Sequence, residues 1–307
     1  MSRLVHLRLE DYDKEAFAKF RPNAGFTLDN ARALMWMSQL AYEAYPGGDP
    51  DIIGEVGNLW GFASVTSFER QKVSIDTTYD TCGVIAERQD AVIFAVAGTD
   101  PGGWETIVTD FTFRHGGDTH AGFQDSANSI EKEAQQARDG SKAAHKPLFV
   151  TGHSLGAAVA AIAALDQGMD PAALYFFGMP RPGNASFHAR YAPLAGRTIR
   201  FVHGLDVVAR VPPSTLFGIA AYRHVGHMLA CASGRKFDGN AQPSDVESDD
   251  PPFAPELVNA ALASAGTILT GHVLSPPGPG PFGPFFRFIP QPIRDHLQDS
   301  YWNALTP

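Results

Sequence analysis

The chain is poor in cysteine, with only Cys82 and Cys231 among 307 residues. Two cysteines cannot make a disulfide framework, and a lone distant pair lacks the spacing of a metal site, so two separate thiols are the simpler expectation. Runs of basic charge are missing as well: 24 Lys and Arg stand against 33 Asp and Glu, for a net charge of −9. With no stripe of Lys or Arg to track phosphates, nucleic acid is excluded as a partner. No window approaches the roughly 18–20 apolar residues that span a bilayer, so no transmembrane segment is expected. The opening stretch MSRLVHLRLEDYDKEAF has no apolar segment of about 7–15 residues ahead of a small-residue cleavage site. A cytoplasmic protein, or one exported without a cleaved signal peptide, is the resulting expectation.

What the chain does have is apolar content, 44% of residues, and this supports a sizeable core. A single domain over residues 1–307 is expected, with 1–72 as N-terminal helices and cover and 73–307 as the core. From Thr27 to Tyr45, Leu28, Ala31, Leu34, Met35, Met37, Leu40 and Ala41 recur at helical spacing, and Pro46-Gly47-Gly48 stops the run. A short helix ending near Gly57 and a strand around Phe62 to Phe68 follow. Cys82–Glu87 and Ala91–Ala97 read as a hairpin, and one helix is predicted from Gln124 to about Arg138. Further strands are predicted at Leu148–Val150, Ala172–Phe177 and Thr198–His203, and YRHVGHMLACAS (222–233) alternates like another. Strands alternating with helices predict an α/β fold: a mainly parallel central sheet with helices on both faces.

The organising stretch is KPLFVTGHSLGAAVAAIAALDQG, residues 146–168. An apolar strand runs into Gly152-His153-Ser154-Leu155-Gly156, and an Ala-rich helix follows. A serine in that setting sits on a strained strand-to-helix elbow with its hydroxyl lifted off the sheet edge, while the helix start aims N–H groups at any anion forming beside it. Elsewhere G-x-S-x-G is an ordinary turn; the flanking strand and helix favour the nucleophile reading. Gly98-Thr99, Gly178 and Asp206 also follow predicted strands, so all four positions should reach one rim of the sheet.

Serine needs a base and an orienting carboxylate. With an elbow nucleophile the acid precedes the histidine in the chain. Asp206 in RTIRFVHGLDVVARVPP is the candidate acid, flanked by apolar residues that would bury it. Four histidines follow it: His224, His227, His272 and His296. His224 and His227 fall in the strand-like run and read as structural. Chain order alone leaves His296 and His272 both open, with His296 ahead. One oxyanion donor should be the N–H of Leu155, and the other should come from Gly98-Thr99.

Taken together these motifs resemble the class 3, fungal-type lipases. VAGT (96–99) resembles that family's oxyanion segment, with Ala97 where Arg is usual. WETIVTDFTF (104–113) resembles its lid, HAGF (120–123) the approach to its long helix, and GHSLGAA (152–158) its elbow. FGMPRPGN (177–184), RFVHGLDVVARVPP, YRHVG (222–226) and DHLQDSY (295–301) follow in family order. The resemblance implies an α/β-hydrolase-like fold and lipase-type carboxylester hydrolysis of a lipid ester. It also implies Ser154, Asp206 and His296 as a triad, Thr99 and Leu155 as oxyanion donors, and no metal or cofactor. Trp104, Ile107 and Val108, behind a Gly102-Gly103 hinge, are the expected lid face at a lipid–water interface. The segment from Met228 to Asp295 is longer than the family needs. Its Pro/Gly-rich loop, about 275–292, carries Phe282 and Phe285 as substrate-contact candidates. A phospholipase A-type enzyme or lipid-degrading toxin is the alternative within hydrolases, and a catalytically silent scaffold the alternative outside them.

Overall fold

A computed structural model describes residues 6–73, 78–99, 115–212, 214–216, 219–220, 222–244 and 291–307, and the structural statements below concern these. In chain order the elements are α1 (Leu28–Leu40), α2 (Pro50–Leu59), β1 (Phe62–Val73), β2 (Thr78–Arg88), β3 (Val92–Val96), β4 (His115–Gly116) and β5 (Thr119–His120). Next come α3 (Ala121–Ser129), α4 (Glu131–Ala144), β6 (Leu148–His153), α5 (Leu155–Asp166), β7 (Ala173–Phe177), α6 (Ala185–Ala195) and β8 (Thr198–His203). The last are β9 (Thr215–Leu216), β10 (Ile219–Ala220), β11 (His227–Cys231), α7 (Gln291–Arg294) and α8 (Gln298–Leu305).

The main sheet has seven strands in the order β1-β2-β3-β6-β7-β8-β11. From β3 to β11 every pairing is parallel, while β1–β2 and β2–β3 are antiparallel. β3, VIFAV, explains why its sequence is apolar throughout. Val92, Phe94 and Val96 join Val150 and Phe176 beneath α3, α4 and α5, whereas Ile93 and Ala95 join Phe149, Tyr175 and Phe201 beneath α1 and α8. A strand covered on both faces has no polar side to show, so it reads as a continuous apolar run. This is the α/β-hydrolase-like architecture the sequence predicts, with helices on both faces of a mainly parallel sheet.

Local signals set the helix boundaries. The Thr27 side chain accepts from the Asn30 N–H to cap α1, and Asp49 caps α2 with Pro50 at its first position. α2 runs on to Leu59 rather than ending near Gly57. Gly57 is there for packing: a Cβ would lie 2.5 Å from Val65 Cγ2 on β1. β1 also continues to Val73, beyond the predicted Phe68. The single helix predicted over Gln124–Arg138 is two, α3 and α4, broken at Ile130. At the break Ser129 donates its hydroxyl to the Ser126 carbonyl at 2.7 Å, and Ile130 turns fully into the core. Of the strand-like run 222–233, only His227–Cys231 joins the ladder, because Gly226 at φ 71 turns the chain just before it. Gln291 opens α7.

The C-terminal helix α8 is fastened to α1 by Trp302 stacking on Trp36, with ring centroids 4.5 Å apart and planes 9° apart. Such a pair contributes about 0.5–1.5 kcal/mol beyond the area it buries. It fixes α8 across the sheet from α5, and the short turn between α7 and α8 therefore crosses the rim where β6, β7 and β8 end. The lid candidates Trp104, Ile107 and Val108, the loop candidates Phe282 and Phe285, and His272 lie outside the described residues.

Candidate active site

The elbow is built by glycines that have no room for a side chain. A Cβ on Gly152 would lie 2.7–2.8 Å from the backbone of Gly156 and Ala157, and one on Gly156 would lie 2.3–2.5 Å from the backbone of Val96 and Ala97. Strand and helix therefore approach closely enough to force a sharp turn. Ser154, at the turn, has φ 59 and ψ −134. An L-residue at positive φ stores strain that its surroundings must hold. The Ser154 N–H donates to the Phe177 carbonyl at 2.9 Å and its carbonyl accepts from Ala157 at 3.0 Å, which pins the residue from both sides.

Three side chains from distant parts of the chain meet above this rim. His296 Nε2 lies 2.8 Å from Ser154 Oγ, and His296 Nδ1 lies 2.8 Å from both carboxylate oxygens of Asp206. Ser154 is 2% exposed, and Asp206 and His296 are 0% exposed. A carboxylate only accepts, so Nδ1 carries the proton and donates to Asp206; Nε2 then presents its lone pair to the Ser154 hydroxyl. The structure thus brings together Ser154, Asp206 and His296. His224 stands apart, with its Nε2 donating to the Ala209 carbonyl at 2.8 Å.

Asp206 is held by more than His296. Its Oδ1 accepts the N–H groups of Val208 at 2.8 Å and Ala209 at 3.3 Å, and its Oδ2 accepts the Tyr301 hydroxyl at 2.5 Å. Burial is the largest single influence on this carboxyl and would raise its pKa. The facing His296 ring, the Tyr301 hydroxyl and the Ala209 N–H together outweigh burial and hold it below the ordinary value. Asp206 is therefore ionised across the neutral range. Asp295, the residue before His296, joins the acid and base loops: its Oδ2 accepts the Leu205 N–H at 2.7 Å and the Ser233 hydroxyl at 2.5 Å.

On the other side of Ser154 lies the turn after β3. A Cβ on Gly98 would be 2.8 Å from Ser154 Cβ and 2.4 Å from the Tyr42 hydroxyl, so only glycine fits. The Tyr45 hydroxyl donates to the Gly98 carbonyl at 2.8 Å and thereby fixes the plane of the Gly98–Thr99 peptide. Leu155 opens α5, and first-turn N–H groups of a helix have no acceptor within it. Ala97, where the resembled family has Arg, is 3% exposed, and its N–H donates to the Cys82 carbonyl at 2.9 Å. Cys82 and Cys231 are separate thiols. Among the described residues no cluster of three or more His, Cys, Asp or Glu could hold a metal ion.

Comparison with known proteins agrees with this architecture. Residues 103–216 match the family model described as Lipase (class 3). Over that segment the chain is similar to the class 3 lipases. Among curated relatives, the secreted mono- and diacylglycerol lipase A of Penicillium cyclopium is 36% identical over 162 residues, covering 45% of this chain and 49% of that protein. The secreted mono- and diacylglycerol lipase 1 of Fusarium solani is 37% identical over 129 residues, covering 38% of this chain and 37% of its own. The chain thus spans half or less of the length of these relatives. Lipase II from Rhizopus niveus superposes with a TM-score of 0.54 at 23% identity, covering 73% of this chain and 87% of its own, a likeness of fold.

Several residues of this site escape a reading of the sequence. Tyr301 sits in the DHLQDSY motif, yet nothing local shows that its hydroxyl reaches Asp206. Tyr42, Tyr45 and His153 read as core or elbow residues. Gly178 has a sequence signal, a glycine directly after a strand, but not the reason for it: at φ 58, a Cβ there would lie 2.8 Å from both Asp206 and His296.

Proposed function

We propose that this chain is a lipase of the class 3 type, a serine carboxylester hydrolase acting on acylglycerols through an acyl-enzyme. The observation that carries the reading is His296, whose two ring nitrogens lie 2.8 Å from Ser154 Oγ on one side and 2.8 Å from Asp206 on the other. Ser154 Oγ attacks the ester carbonyl carbon while its proton passes to His296 Nε2, and the buried carboxylate of Asp206 stabilises the imidazolium that results. The tetrahedral oxyanion takes hydrogen bonds from the Thr99 and Leu155 N–H groups. His296 returns the proton to the departing alcohol. Water, deprotonated by His296, then attacks the acyl-enzyme, releasing the fatty acid and restoring Ser154.

The names of the matched relatives support mono- and diacylglycerols as substrates and favour export over a cytoplasmic location. Contact with a lipid–water interface fits the same substrates, with Trp104, Ile107 and Val108 as the lid face and Phe282 and Phe285 as acyl contacts. Ser154→Ala is expected to abolish release of fatty acid from emulsified diacylglycerol, and of p-nitrophenol from its short-chain esters, with the circular dichroism spectrum unchanged. A fluorophosphonate probe should label Ser154 in the native protein alone. Retained turnover in Ser154→Ala would refute the nucleophile, and faster release from phospholipid than from diacylglycerol would refute the substrate class.

A further inference from the structure

The residue before the nucleophile is itself a histidine, and it is joined to the proposed base. His153 is 0% exposed, and its ring stacks on His296 with centroids 4.7 Å apart and planes 30° apart. Its Nε2 lies 2.8 Å from the main-chain carbonyl of His296, and its Nδ1 lies 2.8 Å from the Tyr42 hydroxyl. A carbonyl oxygen can only accept, so Nε2 must carry hydrogen. A neutral imidazole has one N–H, so Nδ1 is a lone pair and Tyr42 donates to it. The proton positions follow from the partners: Tyr42 O–H to His153 Nδ1, then His153 Nε2–H to the His296 carbonyl.

We propose that His153 is a positioning residue for the base: through its Nε2–H it holds the backbone of His296, so that the elbow carrying the hydroxyl also sets the place of the imidazole that deprotonates it. The proposal rests on the acyl-transfer reading above and deepens it. Ser154 and His296 are 142 positions apart and approach through two loops, so either loop could shift independently. The His153 bond ties them one residue behind the reacting atoms. A misplacement of about 1 Å at a reacting group costs on the order of a hundredfold in rate.

The arrangement requires a neutral His153. The groups facing it are Tyr42, His296, Asp206 and Tyr301. Burial, with repulsion from His296, pushes the His153 imidazole down to about 3, so it stays uncharged through the working range. When His296 becomes an imidazolium during turnover, it therefore stacks on a neutral ring.

Two amide substitutions separate the contacts. The Gln amide nitrogen falls close to imidazole Nε2, and the Asn amide oxygen falls close to Nδ1. His153→Gln keeps the donor to the His296 carbonyl, whereas His153→Asn keeps only the partner for Tyr42. On p-nitrophenyl butyrate, His153→Asn is expected to lower kcat by about a hundredfold with KM within about twofold, and His153→Gln to recover at least about tenfold of that loss. Equal kcat in the two variants would overturn the proposal, since a purely structural amide would serve equally at either end. Ring-nitrogen NMR of the wild-type protein gives a reading independent of activity. His153 should be the Nε2–H tautomer and should not titrate between pH 8 and 5. An Nδ1–H tautomer, or a titrating ring, would refute the assignment even if both variants failed to fold. A wild-type protein whose esterase activity survives Ser154→Ala, yet whose His153 is the Nε2–H tautomer, would overturn the acyl-transfer reading alone.

Discussion

Replacing Gly178 with alanine tests the site with one methyl group. Gly178 directly follows β7 at φ 58, and its N–H donates to the Phe201 carbonyl at 3.1 Å. An added Cβ would sit 2.8 Å from Asp206 Oδ2 and 2.8 Å from His296 Nδ1 and Cε1. Ordinary contact begins at 3.4 Å, so about 0.6 Å must be found on each side. Neither neighbour can yield freely, since Asp206 is held by Val208, Ala209 and Tyr301, and the His296 ring stacks on His153. Opening the 2.8 Å bond between acid and base by that amount takes it past hydrogen-bond length. The left-handed backbone costs alanine about 1–2 kcal/mol and the forced contact about 1–3 kcal/mol, a folded but weakened protein. Loss of the tautomer lock should cost far more in rate, about a hundredfold to ten-thousandfold in kcat. Ester hydrolysis by purified protein, with urea unfolding beside it, separates the two effects. A variant destabilised as expected yet within threefold of wild-type kcat would refute the claim that Gly178 is glycine for the sake of the acid–base contact.

Other expectations follow from the same packing. Tyr301→Phe leaves the His203 N–H and one edge of Asp206 short of a partner; urea unfolding should show a loss of about 1–3 kcal/mol, and kcat should fall about tenfold as the carboxylate becomes easier to protonate. Gly156→Ala sets a Cβ 2.3 Å from the Val96 carbonyl and should cost more than about 3 kcal/mol or prevent soluble expression. Gly168→Ala, at φ 57 in open space, should cost only about 1–2 kcal/mol. Stability should fall as pH drops below the ordinary histidine value. His153 is held near 3 and His224 well below its ordinary value by burial, so the unfolded chain takes up those protons first. Each contributes a loss of about 1.4 kcal/mol per pH unit. Asp299, pushed up to about 6 by burial, has the opposite sign. Below pH 6 the folded state binds its proton before the unfolded chain does, which offsets one histidine down to the ordinary carboxyl range. Urea unfolding at pH 7, 6, 5 and 4 should therefore show a slope that Asp299→Asn steepens; a flat profile would contradict the burial of both imidazoles.

The sequence by itself determined the elbow, the parallel strands and the approximate rim. Each rests on spacing within some twenty residues: apolar β6, two glycines around Ser154, and an alanine-rich α5 that can lie close to the sheet. The boundaries it missed turn on contacts from elsewhere. Gly57 continues α2 because β1 packs against it, and Ile130 breaks a helix because its side chain is drawn into the core. The choice between His296 and His272 was open on chain order, and the resemblance to the class 3 lipases favoured His296. The geometry around Ser154 was decided only when Trp302 docked α8 on Trp36 and carried the turn before it across the rim. That docking also delivered Tyr301 to Asp206, set His153 against the His296 carbonyl and required Gly178 to lack a side chain. None of these pairings has a local period to betray it. Apart from the contact of Gly178 with Asp206, they join positions roughly a hundred residues or more apart, and whether such groups meet depends on how whole layers pack, which neighbouring residues do not record.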